Sequence, residues 1–387
     1  MAALFWLSVL SVIYPYFLYP GALWALGRLV RPPSPPSAPP LSAPPASATP
    51  HSATLPSVSL IVPVSNEEVR IAAKVANTVA LRYPAAQLQV LFVSDGSTDN
   101  TVEILKTLAT PTMTVIDLPV RRGKAAGLNA GLQQARGEIL VFSDAAIALE
   151  PDALERIVAP FADPTIGCVS GEDRIAESGG EALYGRYELL LRRLESRVSS
   201  IAGASGSFYA QRRSLCLPFT AGMAPDFLSV LRTVEQGARA ISEPTAVGAM
   251  TSVKDPRREF DRKVRTLIRG FTTLFAHGRL LNPFRYGMFA FVLGSHKVMR
   301  WVAPVFLVGA LVAALAMFGQ PFYRLAAVGQ VAFYLCGLAA LRQWGGVHRT
   351  LAGKVALYFS TVNVAVLVAW LRFARGERQE LWTPSER

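Results

Sequence analysis

The stretch Val90–Thr101, with the sequence VLFVSDGSTDNT, predicts a buried strand that runs through a turn into a helix. Its first four residues are apolar and rich in β-branched types, which is typical of a short buried strand. The strand ends at Asp95 and Gly96, and Ser97, Thr98 and Asp99 after them are N-cap candidates for a helix over Thr101–Leu108. An acid in this place marks the ligand-binding edge of open α/β sheets. A plain β-turn-α connection with a solvated Asp95 is the alternative, and it is weakened because two more strand ends of this kind occur later in the chain.

The composition of the chain indicates membrane segments. Its 387 residues allow two or three domains. Hydrophobic residues make up 51% and the mean hydropathy is +0.31, which is too apolar for an ordinary soluble enzyme. The net charge of +12 suits contact with anionic lipid and with a phosphorylated substrate, whereas no basic stripe interleaved with aromatic residues indicates nucleic acid. The three cysteines form no CxxC pair, so neither a disulfide framework nor a zinc site is expected.

Apolar and Pro-rich stretches divide the chain into six segments. No charged side chain precedes Arg28, and this run is long enough to cross a bilayer, although Pro15 and Pro20 would kink it or make it re-entrant. The basic region and cleavage site of a signal peptide are not evident, and Arg28 and Arg31 place the soluble domain on the cytoplasmic side. The predicted segments are a membrane anchor (1–30), a Pro-rich linker (31–57), a soluble α/β domain (58–270), interfacial helices (271–301), three membrane helices (302–371) and a tail (372–387).

Three uncharged runs near the C-terminal end are each close to the length that spans a bilayer. They are Val302–Tyr323, Leu325–Leu341 and Val355–Leu371. With the soluble domain inside, three spans place the tail outside, although Arg372, Arg375 and Arg378 favour the inside.

Strands and helices alternate through the first half of the soluble domain. Val58–Val64, Thr114–Leu118 and Ile139–Phe142 read as strands, and helices are predicted over about Val69–Leu81 and Ala125–Ala135. Together with the strand at Val90, this alternation predicts a parallel, doubly wound sheet with right-handed crossovers.

Six motifs carry a resemblance to a known family. They are SLIVPVSNEE (59–68), VLFVSDGSTDNT (90–101), RRGKAAGLNAGL (121–132), ILVFSDAA (139–146), GASGSFYAQRR (203–213) and PDFLSVLRTVEQG (225–237). In this order the chain resembles the membrane-associated family 2 glycosyltransferases, which have the GT-A fold, and its membrane segments resemble the bacterial polysaccharide-synthase branch. The resemblance implies an α/β GT-A domain with flanking transmembrane helices in the inner (plasma) membrane, with the catalytic domain in the cytoplasm.

The resemblance also assigns the nucleotide-sugar site. Its predicted residues in the first half of the domain are Pro63, Glu67, Asp95, Lys124 and Asn129. Family members contact the base and ribose at the positions of Glu67 and Asp95, and the diphosphate or sugar at those of Lys124 and Asn129. Glu67 and Glu68 could instead be first-turn helix acids favoured by the dipole, and Lys124 could belong to a solvated basic loop. Ser65 stands where the family usually has an aromatic residue for base stacking.

Asp144 matches the first Asp of the DxD-type metal motif of the family. Ala146 stands in place of the second carboxylate, so the pattern is incomplete. One carboxylate, two phosphate oxygens and waters can still satisfy Mg²⁺, which keeps several waters in any case. The resemblance therefore implies a requirement for Mg²⁺ or Mn²⁺, with poor affinity for the ion in the absence of nucleotide.

The acceptor side of the site is expected at two later motifs. Gly206 and Ser207 lie in a small-residue stretch that would form the floor of the sugar and acceptor site, the alternative being a tight turn before a strand. Asp226 matches the family's general base for the acceptor hydroxyl, although Pro225 replaces the acid that usually precedes it. A helix N-cap is the alternative role for Asp226.

Arg262 and Arg265 lie in a basic segment that is compared with the QxxRW signature of processive synthases. Arg265 would take the position of the arginine and bind the diphosphate, and Arg262 is predicted as a further nucleotide-sugar contact. The Gln and the Trp of the signature are missing, which puts processivity in doubt. A basic interfacial helix on anionic lipid is the alternative.

These observations predict a hexosyltransferase-type, inverting enzyme that uses a nucleotide-diphosphate sugar, expected to be UDP-linked. Its acceptor would be a glycan or a lipid-linked glycan, in exopolysaccharide or cell-surface glycan synthesis. Membrane lipid and other polysaccharide-assembly proteins are the expected partners, and nucleic acid is not. The two rivals are a processive β-glycan synthase coupled to export and a non-catalytic membrane partner of an export complex.

Overall fold

The computed structural model describes residues 1–29, 55–175, 180–250 and 256–379. Most of the predicted Pro-rich linker and the last eight residues of the predicted tail lie outside the described residues.

A mixed sheet forms the centre of the soluble domain. Its strands are β1 (Val58–Val64), β2 (Leu88–Asp95), β3 (Met113–Leu118), β4 (Ile139–Ser143), β5 (Ala148–Leu149), β6 (Ile166–Ile175), β7 (Phe208–Arg212) and β8 (Arg239–Met250). Their spatial order is β3-β2-β1-β4-β7-β6-β8-β5. The first four strands in that order are parallel, which confirms the predicted doubly wound half. In the other half, β7 runs antiparallel to β4 and β6, whereas β8 runs parallel to β6.

Helices cover this sheet and continue beyond the soluble domain. They are α1 (Ala2–Ile13), α2 (Tyr19–Leu29), α3 (Glu68–Val79), α4 (Thr101–Leu108), α5 (Lys124–Gln134), α6 (Ala153–Val158), α7 (Gly180–Val198), α8 (Pro225–Glu235), α9 (Pro256–Ala276), α10 (Pro283–Leu293), α11 (Met299–Ala316), α12 (Pro321–Leu341) and α13 (Leu351–Ala374). A π-helical turn at Tyr14–Leu18 joins α1 to α2, and another at Gly294–Val298 joins α10 to α11.

The turn after β2 shows why the stretch Val90–Thr101 folds as predicted. The apolar residues of β2 are buried on both faces of the sheet, because helices cover both sides. Asp99 Oδ1 accepts from the backbone N–H of Thr101 at 3.1 Å and from its hydroxyl at 2.6 Å. This carboxylate satisfies an otherwise unpaired donor in the first turn of α4, which begins at Thr101 as predicted. The N-cap itself is Asn100, so the predicted candidates Ser97, Thr98 and Asp99 are wrong for that position.

Four helical runs of the described residues are long and apolar enough to span a membrane. They are Ala2–Leu29, Pro283–Ala316, Pro321–Leu341 and Leu351–Ala374. Large apolar side chains on them point outward, such as Leu7 at 59% and Leu325 at 73% exposure. An exposed apolar surface of this kind is suited to lipid.

One prediction about these runs needs correction. The run predicted at Val302–Tyr323 has other bounds, because α11 begins at Met299 and ends at Ala316, and Pro321 starts the next helix. The apolar run that contains α11 begins at Pro283, inside the segment predicted as interfacial. Composition does not reveal the break between Ala316 and Pro321, because the residues around it are as apolar as those of the helices. Pro321 is the signal for it, because proline is favoured in the first turn of a helix. Pro15 lies in the π-helical turn Tyr14–Leu18, through which the helical run Ala2–Leu29 continues, and the kinked or re-entrant path stays a prediction.

Candidate active site

Five predicted residues meet where the ends of β4 and β7 adjoin. Lys124, at the start of α5, donates from Nζ to Asp144 Oδ1 at 2.5 Å and to the carbonyl oxygen of Gly206 at 3.1 Å. The backbone N–H of Asp144 donates to the carbonyl oxygen of Ser207 at 2.9 Å. A Cβ at Gly206 would lie 3.8 Å from Cγ of Asp226. The structure therefore brings the predicted phosphate contact, metal carboxylate, acceptor floor and general base into one site.

Asp95 positions the loop that carries Lys124. Its side chain is completely buried, and its two oxygens accept from the backbone N–H groups of Arg122 and Gly123, at 2.8 and 2.7 Å. Gly123 has a φ of +93°, which side chains other than glycine rarely allow. These bonds hold the turn immediately before α5. The predicted direct contact between Asp95 and the nucleotide stays a prediction.

Pro63 and Asn129 make contacts that position α5 and the segment before α8. Pro63 is buried in β1, and its Cβ lies 3.6 Å from the place of a Cβ at Gly127 in α5, so it packs beneath that helix. Asn129 donates from Nδ2 to the carbonyl oxygen of Phe219 at 2.9 Å and accepts from the N–H of the same residue at 2.7 Å. Asn129 therefore fixes the segment that leads to α8. Their predicted contacts with the nucleotide-sugar stay predictions.

Glu67 lies just after β1 and is 5% exposed. Its backbone N–H donates to Thr101 Oγ1 at 2.8 Å, and Arg70 Nη1 lies 3.3 Å from its Oε2. Burial raises the pKa of Glu67, Arg70 opposes this rise, and the charge of the Asp144 carboxylate adds to it. The alternative of first-turn helix acids is confirmed for Glu68 and wrong for Glu67. The helix α3 begins at Glu68, and Glu67 is its N-cap without a side-chain capping bond.

Lys74 is a buried cation behind Asp144 that the motifs did not indicate. It lies on the apolar face of α3 and is 3% exposed. Its Nζ donates to Ser143 Oγ at 2.8 Å and to the carbonyl oxygen of Ile147 at 2.7 Å. Burial lowers the pKa of Lys74 to about 7, and Asp144 opposes this change. Lys74 ties together the two ends of the loop that holds Asp144. The sequence does contain a sign of this role, because Lys74 stands at a helical position where an apolar residue is expected.

Asp226 is the second residue of α8. Ala224 is the N-cap, Pro225 occupies the first helical position, and no side chain makes a capping hydrogen bond at this end. The alternative that Asp226 is the N-cap is therefore wrong. The reason is that Pro225 is itself favoured at the first position, which moves the acid one residue into the helix.

The carboxylate of Asp226 is partly buried, and three basic residues act on it electrostatically. Burial raises the pKa of Asp226 above its usual value of 3.8, and the charges of Lys124, Lys297 and Arg192 oppose this shift. A carboxylate whose pKa moves toward the working pH is a more effective general base. Arg192 and Lys297 were not predicted for the site, because they come from α7 and from the π-helical turn before α11.

The basic residues of α9 divide between two environments. Arg262 forms a bidentate pair with Glu259 in the same helix, with both nitrogen–oxygen distances at 2.7 Å. Burial and the neighbouring Arg265 lower the pKa of Arg269, and the charge of Asp226 opposes this change. The predicted contacts of Arg262 and Arg265 with the donor diphosphate stay predictions.

Glu195 in α7 joins the floor of the site to the apolar helices. This fully buried carboxylate accepts from the hydroxyl of Tyr19 at 2.7 Å and from the N–H of Ala202 at 3.0 Å, and His296 Nδ1 lies 2.6 Å from it. Burial works to raise the pKa of Glu195, but His296 and these hydrogen bonds hold it below its usual value. One side chain therefore connects α2, the turn before α11 and the segment that leads to Gly206.

The residues present fit a metal ion that is shared with a diphosphate. Asp144 is partly exposed, and its Oδ2 makes no hydrogen bond within the described part of the chain, while Oδ1 pairs with Lys124. No group of three His, Cys, Asp or Glu residues among the described residues could hold a metal by itself. Since Ala146 supplies no second carboxylate, the remaining oxygens would come from phosphate and water.

The comparison with protein families identifies the domain. The profile of the family described as Glycosyl transferase family 2 matches residues 59–216, from β1 to just beyond β7. Residues 59–216 are a family 2 glycosyltransferase domain. This glycosyltransferase domain resembles the poly-beta-1,6-N-acetyl-D-glucosamine synthases of Staphylococcus epidermidis, at 28% identity over 167 residues, and Staphylococcus aureus, at 26% over 170 residues. Each match covers 41% of this chain and only 40% of the relative's length.

A solved structure resembles the glycosyltransferase domain together with its flanking helices. It is a mannosyltransferase from Pyrobaculum calidifontis in complex with GDP-mannose and Mn²⁺, with a TM-score of 0.71 and 25% sequence identity. The likeness covers 97% of this chain and 99% of the mannosyltransferase. The predicted GT-A fold with apolar helices on both sides is thereby confirmed.

Proposed function

We propose that the chain is a membrane glycosyltransferase that moves a sugar from a nucleotide-diphosphate donor to a glycan or lipid-linked acceptor. The observation that carries this proposal is the meeting of Lys124, Asp144, Gly206 and Asp226 at one edge of the sheet. Lys124 would contact the diphosphate, Asp144 would hold a metal ion, and Asp226 would contact the acceptor. These side chains lie around Gly206, whose lack of a side chain allows a ligand to approach the backbone closely. The product would be an exopolysaccharide or a cell-surface glycan.

The proposed reaction is a single displacement at the anomeric carbon. The acceptor hydroxyl oxygen attacks this carbon, Asp226 takes the hydroxyl proton, and the bond from the carbon to the diphosphate oxygen breaks, so that the nucleoside diphosphate leaves. One displacement inverts the anomeric configuration. Lys124 balances negative charge on the leaving diphosphate, and Asp95 and Lys74 hold the two loops that carry Lys124 and Asp144. When bound, Mg²⁺ or Mn²⁺ would neutralise further charge between Asp144 and the diphosphate.

Two donor classes are proposed in order. A UDP-linked sugar is the first, as expected from the sequence. GDP-mannose is the second, because the mannosyltransferase that resembles the whole chain was solved with it. The similar synthases of Staphylococcus support polymer formation as a rival activity. Thr266, where the compared signature has its Trp, favours transfer of one or a few sugars instead.

The proposed location is the inner membrane, with several spans and the glycosyltransferase domain in the cytoplasm. The four apolar helical runs and the basic residues after the first of them support this arrangement. Membrane lipid is then an obligatory neighbour, and other polysaccharide-assembly proteins are proposed partners.

A donor screen with the full chain tests the proposal. The protein, purified in detergent, is incubated with UDP-glucose, UDP-N-acetylglucosamine and GDP-mannose, and nucleoside diphosphate release is measured with and without a chelator. Release from one donor, with loss in the Asp144→Asn variant, is the expected result. Binding of a donor without any release, with or without added glycan, would instead favour the non-catalytic partner. The length of the product separates single transfer from polymerisation.

A further inference from the structure

Lys297 brings a cation from the apolar run Pro283–Ala316 to the floor of the site. Its Nζ would lie 3.3 Å from a Cβ at Gly203, and it lies 5.6 Å from the ring centre of Phe227, the residue after Asp226. Within the described part of the chain this ammonium makes no hydrogen bond, and its side chain is only partly buried. An ammonium group carries three donors, so Lys297 has donors available at the floor.

The turn that carries Lys297 is anchored on both sides. It is the π-helical turn Gly294–Val298, and such turns occur frequently at functional sites. The hydroxyl groups of Ser295 and Tyr14 lie 2.7 Å apart, and His296 bridges Glu195 at 2.6 Å and Glu188 at 3.0 Å. The neighbours of Lys297 are therefore fixed by buried polar contacts, which hold its side chain at the floor.

A second cation lies next to the same floor segment, which consists of the small residues Gly203–Ser207. Arg192 of α7 donates from Nη2 to the carbonyl oxygen of Ala204 at 3.3 Å. Two carboxylates lie near this segment. Asp173 accepts a hydrogen bond from the hydroxyl of Ser205 at 2.6 Å, and Asp226 is the proposed base for the acceptor hydroxyl. Between Lys297 and Asp226 the segment is made of small residues that permit close approach of a ligand.

We propose that Lys297, with Arg192 beside it, binds a phosphate group of the acceptor, so that the acceptor is a sugar carried on a lipid phosphate. The inference rests on the proposed function and names its acceptor class. Lysine binds phosphate as a compact point charge. Because Lys297 belongs to an apolar helical run, the phosphate that it meets lies where a lipid-linked acceptor enters from the bilayer. Asp226, farther along the floor, then faces the sugar hydroxyl.

The experiment compares two amphiphiles that differ in phosphate. One is farnesyl-diphosphate-linked N-acetylglucosamine, and the other is the uncharged farnesyl glycoside of the same sugar. Soluble N-acetylglucosamine 1-phosphate, which has a phosphate but no lipid, separates a lipid source of the phosphate from a free one. Binding to the full chain in nanodiscs is measured for wild type, Lys297→Met, Lys297→Arg and the control Lys354→Met, a lysine in another apolar helix. KM and kcat are measured wherever transfer is detected.

Wild type should prefer the diphosphate-linked lipid over both other ligands. Lys297→Met should weaken its binding by about 10- to 100-fold, the size of one charge-assisted hydrogen bond, and should leave the binding of the farnesyl glycoside unchanged. Lys297→Arg should restore most of the affinity, and Lys354→Met should resemble wild type.

Equal binding of the charged and uncharged lipids by wild type, or an unchanged preference in Lys297→Met, would overturn the proposal. So would a fall in kcat that is equal for both lipids, since Lys297 would then act on Asp226 and not on the acceptor. Tight binding of the soluble sugar phosphate would refute the lipid source. The binding measurements do not depend on catalysis. If the donor screen fails, the proposed function is refuted, but the binding preference of Lys297 for the lipid phosphate is still tested separately.

Discussion

Replacement of Asp226 by Asn separates its role in proton transfer from its place in α8. General-base assistance is worth about 10²–10⁴-fold in rate. At about 1.36 kcal/mol for each factor of ten, this corresponds to about 2.7–5.5 kcal/mol of the barrier. Asp226 makes no capping hydrogen bond, so stability loses only the attraction between an acid and the helix N-terminus, about 0.3–1 kcal/mol. The transfer rate should therefore collapse while the melting temperature falls by only a few degrees.

The assay measures transfer, donor affinity and thermal unfolding on one preparation of Asp226→Asn. Asp117→Asn, at an exposed position of β3, is the matched control and should equal wild type in all three. Donor affinity should hold, because the proposed nucleotide contacts are other residues. Since Asp226 must be ionised and its pKa lies above 3.8, wild-type transfer should fall as the pH drops through that raised pKa. Transfer within about threefold of wild type, far below the loss expected for a general base, would refute the assignment.

Three further predictions concern the metal, the junction at Glu195 and the topology. Chelation should abolish nucleotide release and Mg²⁺ or Mn²⁺ should restore it, but not in Asp144→Asn; full activity in chelator would remove the metal from the proposal. Glu195→Gln should lower stability by about 3–5 kcal/mol, because it breaks a buried charged network, whereas Tyr19→Phe should lose about 1–2 kcal/mol. Thermal unfolding of both variants checks this, and equal losses would argue against Glu195 as the junction. A reporter fused to the C-terminus should lie outside the cytoplasm, and a cytoplasmic reading would mean that one run, with Leu351–Ala374 the first to examine, does not cross.

The local sequence determined the parallel half of the sheet. Short apolar runs that end in an acid or a glycine encode a strand and its turn within about ten residues, so β1, β2 and β4 could be located before any contact was known. The motif order likewise indicated Lys124, Asp144, Gly206 and Asp226 as one site, and the structure brings them together. These features depend on spacing along the chain, which is visible in a single sequence.

Only the tertiary structure decided which groups support that site. Asp95 is completely buried against the backbone before Lys124, and Lys74 crosses behind Asp144 to hold its loop. Glu195 meets Tyr19 and His296, which are 176 and 101 residues away from it. No local periodicity encodes partners at such separations. They depend on how the apolar helices pack against α7, and packing of this kind is set by the whole chain at once.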